Sequence, residues 1–543
     1  MTEVVKEWLQ KATDPAIAAE LSALKENETE LKDRFYKDLE FGTGGLRGII
    51  GAGTNCMNIY TVARASEGLA AYMKAHGMKK IAVSYDSRIN SRLFAETAAR
   101  QFAKNGIKTV IVKELMPTPF LSFLTREEKC DMGVMVTASH NPAKYNGYKV
   151  YNSDGCQIVD AAAAEISSYI EKTAYFGDMG KPFAEYLAEG EVSLCPDAVE
   201  EKYLLGVKDI VNAQPSDLKV TYTALNGTGY RIVPKILKEF VAEVSLVKEQ
   251  CVPDGNFPTC PYPNPEKSEA LALGLAAAEE NGSDLLLATD PDADRLGIAV
   301  RTENGCRLLT GNEVGVILTD FLLSDLEKRG LPTDRAIIVK TIVTTAMAEL
   351  VAKKYGAGVV NVLTGFKYIG EQIGILEKKG EADRFLLGFE ESYGYLLGTQ
   401  VRDKDAVVAV LAVCKASAYY KKQNKTLADR LEELYAEYGR FYHKLLTFEF
   451  PGAAGKEHIE KTMKALRGDT KEFCGRRVAK STDYLESEKT GLPRSNVLSL
   501  EFGEGEGVVI RPSGTEPLLK VYVTSRGKED TDLYDRLAAF FKA

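Results

Sequence analysis

Residues 132–151 read MGVMVTASHNPAKYNGYKVY, and the order of those letters decides the fold. An apolar run, Gly133-Val134-Met135-Val136, has the composition of a buried strand. It breaks at once into Thr137-Ala138-Ser139-His140-Asn141-Pro142. Pro142 has no N–H for a strand ladder and biases Asn141 toward an extended or turn geometry. The predicted strand covers 134–139. The Ser139 hydroxyl then stands at a carboxyl strand end, where open parallel sheets hold their ligands. By itself a Ser-His pair in a polar turn carries no chemistry, so the rest of the chain must supply the argument.

Outward from this stretch the pattern alternates. Apolar periodicity predicts helices over 62–76 and 91–105 and strands over 81–86 and 109–113 before it, with helices over 161–171 and 196–211 after it. A second cycle has strands at 218–222, 243–248 and 284–289, helices at 233–240 and 268–280, and a long Pro/Asn-rich connection over 253–265. A third has helices at 312–326, 345–355, 367–375 and 405–422 and strands at 336–339, 359–363 and 385–389. Strands alternating with helices imply βαβ units. The last hundred or so residues instead give strands at 444–450, 497–502, 507–511 and 519–524 with helices at 457–465 and 532–541. The expected class is α/β, with three consecutive domains of mixed, mostly parallel sheets over 41–212, 213–311 and 312–440. An α+β domain over 441–543 follows them, and a helical, amphipathic arm over 1–40 precedes them.

The 543 residues are 45% hydrophobic and 27% charged, the balance of a soluble globular chain. A net charge of -8 argues against nucleic acid or an anionic membrane as the main partner, so an anionic ligand must be held by local cations. The N-terminus lacks the apolar segment of a signal peptide, and no run reaches the roughly 18 apolar residues of a membrane span. Nine scattered cysteines without a Cys-x-x-Cys pair fit reduced thiols in the cytoplasm. Four dispersed histidines do not build a His-based metal centre.

The strongest chemical signal is Asp290-Pro291-Asp292-Ala293-Asp294-Arg295, which follows the apolar run 285–289. Carboxylates at i, i+2 and i+4 of an extended or turning segment can face one centre. Three of them together repel, so a cation belongs among them, and oxygen-only donors favour Mg²⁺ or Ca²⁺. An EF-hand is excluded, because the loop's sixth and twelfth positions are Arg295 and Arg301 rather than Gly and Glu. Three carboxylates underfill an octahedral ion, and a phosphorylated Ser139 would add an oxygen, with Arg295 pairing to the same phosphoryl group.

The stretch GFEESYG at 388–394 repeats the arrangement of apolar strand, paired carboxylates and hydroxyl. Such acceptors suit sugar hydroxyls, and acids at a helix N-terminus are the rival reading. Thr364-Gly365-Phe366-Lys367 lies at another strand end. RPSGTEP at 511–517 links two strands and offers an arginine, hydroxyls and glycine amides to a phosphate, although hairpin turns favour the same residues. FGTGGLRG at 41–48 reads equally as a tight turn or as an anion-binding loop with Arg47 adding charge. A partly desolvated lysine beside cations can have a lowered pKa and carry a proton, and Lys149 is open to that reading, although in isolation a surface lysine on a strand edge is the better one.

TASHNP, DPDADR, GFEESYG and RPSGTEP, in this order, resemble the α-D-phosphohexomutase superfamily from about Gly42 to the end of the chain. The resemblance implies four domains around a central cleft and interconversion of α-D-glucose 1-phosphate and D-glucose 6-phosphate. It implies phosphorylation of Ser139, with Asp290, Asp292 and Asp294 holding Mg²⁺ beside it and Arg295 as a partner. Arg47, His140 and Lys149 become acid/base and electrostatic neighbours. Glu390, Ser392, Thr364, Gly365 and Lys367 would line the sugar, and Arg511, Ser513, Gly514 and Thr515 the non-reacting phosphate. Glucose 1,6-bisphosphate is the implied activator and intermediate. EESYG resembles the glucose-type loop, while pentose and mannose phosphates stay open as alternative substrates. A metal-dependent sugar phosphatase is the more distant alternative.

Overall fold

The computed structural model describes residues 2–42, 44–450, 452–468, 470–513 and 518–542. Contacts divide the chain into two units. One comprises Met1–Thr310, Ile369–Phe385 and Ser392–Thr426; the other comprises Gly311–Tyr368, Leu386–Glu391 and Leu427–Ala543.

The first unit opens on three short helices, Glu3–Lys11, Pro15–Leu24 and Glu28–Phe35. Thr2, Asp14 and Asn27 cap them through side-chain oxygens that accept from the first-turn amides. Trp8 fastens this arm, with edge contacts to Phe35, Tyr60, Tyr175 and Phe176 at centroid separations of 5.2–5.6 Å.

Beyond the arm lies a six-stranded sheet: β1 (Gly45–Ile49), β2 (Lys80–Tyr85), β3 (Lys108–Ile111), β4 (Met132–Val136), β5 (Tyr145–Asn152) and β6 (Val192–Leu194). Its order is β1-β5-β4-β2-β3-β6. β2 runs parallel to β3 and β4, and β3 to β6, whereas β5 is antiparallel to both β4 and β1. Every residue of β4 is buried, as its unbroken apolar run requires.

Two expectations change here. The strand ends at Val136 rather than at 139, and Ser139 adopts φ 51° in the turn that follows. Gly42 and Gly45 form an isolated bridge, and the glycine-rich stretch continues from Gly45 into β1, so it is not a turn throughout. Arg47 is an exposed strand residue opposite Gly147. Gly45 has φ 143°, and a Cβ there would lie 1.8 Å from the Tyr148 carbonyl oxygen, so only glycine allows β1 to approach β5.

The second sheet comprises β7 (Lys219–Thr223), β8 (Glu243–Leu246), β9 (Leu285–Thr289), β10 (Leu296–Thr302) and β11 (Gly305–Leu309), in the order β11-β10-β9-β7-β8. β7 is parallel to β8 and β9, and β9-β10-β11 form an antiparallel meander. The helix Ala406–Lys421 is buried along nearly its whole length and packs against Asp197–Val211 and Gly229–Phe240.

In the second unit β12 (Ile337–Thr341) pairs in parallel with β13 (Gly358–Val362) and is flanked on its other side by β14 (Phe385–Glu390). After Glu390 the chain turns at 391–393 and enters another strand, Gly394–Leu397, so the paired acids sit at the end of β14 and in the turn that follows rather than at a helix N-terminus. The C-terminal sheet is antiparallel, in the order Phe441–Glu449, Leu518–Arg526, Glu506–Pro512, Leu498–Gly503 and Lys480–Asp483. Alternate residues of its strands, among them Leu498, Leu500, Val508, Ile510 and Val521, form a core with Met463, Leu533 and Leu537 of two helices. No described helix is long and apolar enough to cross a membrane. The nine cysteines are free thiols.

Candidate active site

The carboxyl end of β4 delivers Ser139 into a built environment. Thr137 Oγ1 accepts the Ser139 amide at 2.8 Å and donates to Asp86. The Ser139 hydroxyl donates to Asp290 Oδ2 at 2.8 Å and lies 3.2 Å from His140 Nδ1. A left-handed φ at a non-glycine residue persists only where its surroundings over-determine it. Ala293, φ 48°, holds the same conformation inside the aspartate loop.

That loop follows β9. Asp290 Oδ1 accepts the amides of Asp294 and Arg295 at 3.1 and 3.0 Å, which folds the loop back on itself. Asp290, Asp292 and Asp294 are all buried, and one oxygen of each lies within 4.8 Å of the others. Asp292 Oδ2 accepts from Thr118 Oγ1 and from Lys149 Nζ, each at 2.8 Å. Lys149 also lies 3.6 Å from Asp294, and Lys404 3.3 Å from it. Asp292 Oδ1 and Asp294 Oδ1 are buried without a hydrogen-bond partner. Orphaned buried carboxylate oxygens are costly, and a hard cation satisfies such a donor set. The three aspartates therefore fit a divalent metal ion, as their spacing leads one to expect.

Without a cation the three carboxylates separate in acidity. Burial, then repulsion from Asp292 and Asp294, pushes Asp290 well above the usual range. Burial and repulsion from Asp292 also push Asp294 up. Burial works against the charge of Asp292 too, but Lys149 outweighs it and holds this carboxyl below the usual range. For His140, burial and then the charges of Arg295 and Arg47 lower the imidazole well below its ordinary value, so it is neutral at pH 7. Lys149 departs from expectation. Burial opposes its charge, yet Asp292 and Asp294 prevail and raise its pKa. A lowered value would require burial and cationic neighbours to outweigh the acids, and its nearest charged neighbours are acids.

Arg295 pairs with Glu266 at 2.6 Å. Arg47 donates to Asn141 Oδ1 at 3.5 Å, across the strand from the serine loop. Ser392 lies in the turn after β14. Thr118, Lys404, Asp86 and Arg88 join this region without having been singled out from the sequence. Asp86 and Arg88 do carry a signal, since they follow the apolar run 81–85 as the other loops follow theirs. Thr118 and Lys404 carry none, because their contacts are made to Asp292 and Asp294, far away in the chain.

In the second unit Arg511, on the strand Glu506–Pro512, donates to Thr364 Oγ1. Two stretches singled out independently thus meet. Gly365 has φ 117°, and Lys367 Nζ lies 5.1 Å from the Tyr368 ring centre. Glu390 is buried at the end of β14, and Glu391 accepts from Thr341 and Thr344 at 3.3 and 3.1 Å. The Ser513 amide donates to the Leu518 carbonyl at 2.8 Å. Gly514 and Thr515 lie outside the described residues.

The chain is similar to phosphoglucomutases of Staphylococcus epidermidis, strain RP62A, 37% identical over 91% of this chain and 92% of the relative, and of Staphylococcus aureus, strain MRSA252, 34% identical over 98% and 97%. Among solved structures, a putative phosphomannomutase from Thermus thermophilus shares the fold at TM-score 0.69 and 22% identity, covering 93% of this chain and all of that one. The open form of Paramecium pp63/parafusin, a phosphoglucomutase, does so at TM-score 0.69 and 18% identity, covering 93% and 94%. N-acetylphosphoglucosamine mutase of Aspergillus fumigatus, solved with GlcNAc-6P and magnesium and, in a serine-to-alanine form, with glucose 1,6-bisphosphate, is 14–15% identical at TM-score 0.53, over at least 98% of both chains. Family models for phosphoglucomutase/phosphomannomutase match residues 38–176, 201–305 and 310–438 as α/β/α domains I, II and III, and 460–539 as the C-terminal domain. With all four family domains present and relatives above 30% identity along nearly its whole length, the chain belongs to the phosphoglucomutase/phosphomannomutase family, and is a mutase, an isomerase of phosphosugars.

Proposed function

We propose that the protein interconverts α-D-glucose 1-phosphate and D-glucose 6-phosphate through phospho-Ser139 and glucose 1,6-bisphosphate. The observation that carries this reading is the Ser139 hydroxyl, 2.8 Å from Asp290, within a buried aspartate trio. In the first half-reaction the free sugar hydroxyl forms a P–O bond to the phosphoryl group on Ser139. The Oγ–P bond breaks, and the sugar hydroxyl's proton passes by way of a neighbouring base to Oγ, which becomes a hydroxyl again. The second half-reaction returns the bisphosphate's other phosphoryl group to Oγ. The sugar keeps two phosphates only in between, so no inorganic phosphate is released.

Asp290, Asp292 and Asp294 would hold Mg²⁺ with the phosphorylated serine. That ion, when bound, would supply positive charge at the transferring group. Phosphoryl transfer depends chiefly on positioning and electrostatics, and this assigns the nearby side chains. Lys149, with its raised pKa, stays a cation and neutralises charge. Neutral His140, 3.2 Å from Oγ, is suited to take or return the proton. Arg47 and Arg295 add charge at the rim. Glu390, Ser392, Thr364, Gly365 and Lys367 are assigned to sugar hydroxyls, and Arg511, Ser513, Gly514 and Thr515 to the non-reacting phosphate. Glucose is preferred over mannose and pentose because the staphylococcal relatives are phosphoglucomutases.

The test is a coupled assay on glucose 1-phosphate with Mg²⁺ and catalytic glucose 1,6-bisphosphate. Ser139→Ala should lose turnover by about 10³ or more, the scale on which an attacking nucleophile matters. Full turnover in that variant would remove Ser139 from the mechanism. Inorganic phosphate appearing as fast as substrate disappears would convert the reading to a phosphatase.

A further inference from the structure

Behind the serine loop lies a guanidinium whose surroundings exceed what folding alone asks. The Arg88 side chain has no solvent exposure. Its Nε donates to the Ser139 carbonyl at 3.2 Å and Nη2 to the same oxygen at 2.5 Å. Nη2 also donates to the Asn141 carbonyl, and Nη1 donates to the carbonyls of Pro142 and Tyr145 at 3.0 Å each. A guanidinium has five N–H groups in a fixed planar fork, and these contacts engage them all. The four carbonyls belong to one short stretch, the serine loop and the first residue of β5, which includes the serine with φ 51°.

The fork is itself held from two sides. Asp86 lies 3.5 Å from Nε, and it accepts from the Arg88 amide at 2.9 Å, from Ser91 Oγ at 2.6 Å and from Thr137 Oγ1. The second grip comes from the Pro/Asn-rich connection 253–265. Phe257, buried and at φ 49°, places its ring centre 5.0 Å from the guanidinium carbon. Gly255 backs onto the same turn, since a Cβ there would lie 2.4 Å from the Ile89 amide nitrogen. The next residue after the connection, Glu266, pairs with Arg295 of the aspartate loop at 2.6 Å. One segment therefore touches the support of the serine loop at one end and the aspartate loop at the other.

We propose that Arg88, clamped by Asp86 and Phe257, is a positioning residue that holds the backbone of the serine loop so that the Ser139 hydroxyl faces the aspartates. This rests on the reading of Ser139 as the phosphoryl carrier. A buried lysine could balance Asp86, but its compact ammonium has three donors and cannot span four carbonyls. The arginine acts through the backbone of Ser139 and touches no reacting atom.

The test uses the full chain with Mg²⁺ and follows Ser139 phosphorylation by glucose 1,6-bisphosphate with rapid quench and mass spectrometry. In this step a P–O bond forms at Oγ, the sugar–phosphate O–P bond breaks, and the Oγ proton ends on the sugar oxygen. Arg88→Lys should phosphorylate at least tenfold more slowly and lose kcat by the same factor. KM for glucose 1-phosphate should stay within twofold, and the Mg²⁺ concentration for half-maximal rate should not move. A merely structural arginine would lower Tm and leave the phosphorylation rate of the folded enzyme at the parent's, and that result overturns the proposal. Should Arg88→Lys not fold, Phe257→Leu keeps every hydrogen bond and removes only the ring. A two- to fivefold slower phosphorylation at unchanged KM supports the clamp, and an unchanged rate overturns it. A parent protein that takes up no phosphate at Ser139 overturns the underlying reading and the proposal together. Parental labelling in the variants overturns the proposal alone.

Discussion

At the scale of single residues, the balance around Lys149 decides how the aspartate trio behaves. Its ammonium lies 2.8 Å from Asp292 and 3.6 Å from Asp294, where a cation shared by all three carboxylates would compete with it. Lys149→Met removes the charge and keeps much of the stem. Mg²⁺ then no longer meets a nearby like charge, and its apparent Kd should tighten about tenfold, roughly 1.4 kcal/mol. Turnover should move the other way, falling about 10²-fold, because the transferring phosphoryl group loses a fixed cation. Calorimetric titration of Mg²⁺ beside steady-state kinetics reads both, and weaker Mg²⁺ binding in the variant would contradict the arrangement. This residue also marks a limit of reading the sequence. Ser139 and the aspartates were legible because each follows an apolar run and keeps its chemistry within a few positions. The protonation of Lys149 was not, since its sign depends on two carboxylates some 140 residues away in the chain. Thr118 and Lys404 were hidden for the same reason.

Complete burial hid some elements and not others, since the fully buried strands β4 and β9 were legible as apolar runs. The helix Thr118–Glu127 has every residue from Thr118 to Thr125 buried, so no polar stripe with a period of 3.6 marks it. Strand β10, with Gly297 beneath Pro265 where a Cβ would meet that ring at 2.7 Å, was not read from the sequence either. The helix Ala406–Lys421 was legible as a helix, but with apolar residues all round nothing in its sequence told which neighbours it would meet. Its first turn gives a prediction. Asp405 caps it by accepting from the amides of Val407 and Val408 at 2.9 and 3.1 Å, and it accepts from Tyr203 Oη at 2.9 Å. Burial nonetheless pushes its carboxyl up to about 6. A folded-state pKa above the unfolded value of about 3.9 means a stabilising contribution that is full below pH 3.9 and lost as pH rises through 6. Above pH 6 the buried charge costs on the order of 2–3 kcal/mol. Asp405→Asn keeps an oxygen for both roles and carries no charge. Its Tm should exceed the parent's at pH 8 and match it near pH 4 in calorimetric scans, and an equal Tm at both pH values would refute the assignment. Asp405→Ala, by contrast, loses the cap and should be less stable at both, by about 1 kcal/mol from the cap alone.

At the scale of the molecule, a chain of net charge -8 must hold anionic ligands by local cations, and the local cations cluster at these loops. The aspartate trio belongs wholly to the first unit, together with Ser139, Lys149 and the Arg88 support. A divalent ion there should act on that unit's stability and leave the second unit's untouched. Binding to the folded state alone stabilises by about 2.7 kcal/mol at a hundred times Kd, close to a hundredfold change in opening equilibrium. Hydrogen exchange resolves this along the chain. Comparing Mg²⁺ with EDTA, amides of β4, β5, β9 and β10 should slow by up to about a hundredfold where they exchange through opening of the unit. The loops 137–144 and 290–295 should slow as well, since the ion relieves the repulsion that pushes Asp290 and Asp294 up. Amides of the antiparallel strands Phe441–Glu449 and Glu506–Pro512, in the second unit, should exchange at the same rate in both conditions. Slowing spread evenly over both units would mean that the ion acts elsewhere or everywhere. No slowing at 285–302 would remove the aspartate trio as its site. Asp292→Asn provides the internal control. It keeps the loop's length and the hydrogen bond from Thr118 while withdrawing one anionic ligand, so the Mg²⁺-dependent difference at 137–144 should shrink in step with that at 290–295.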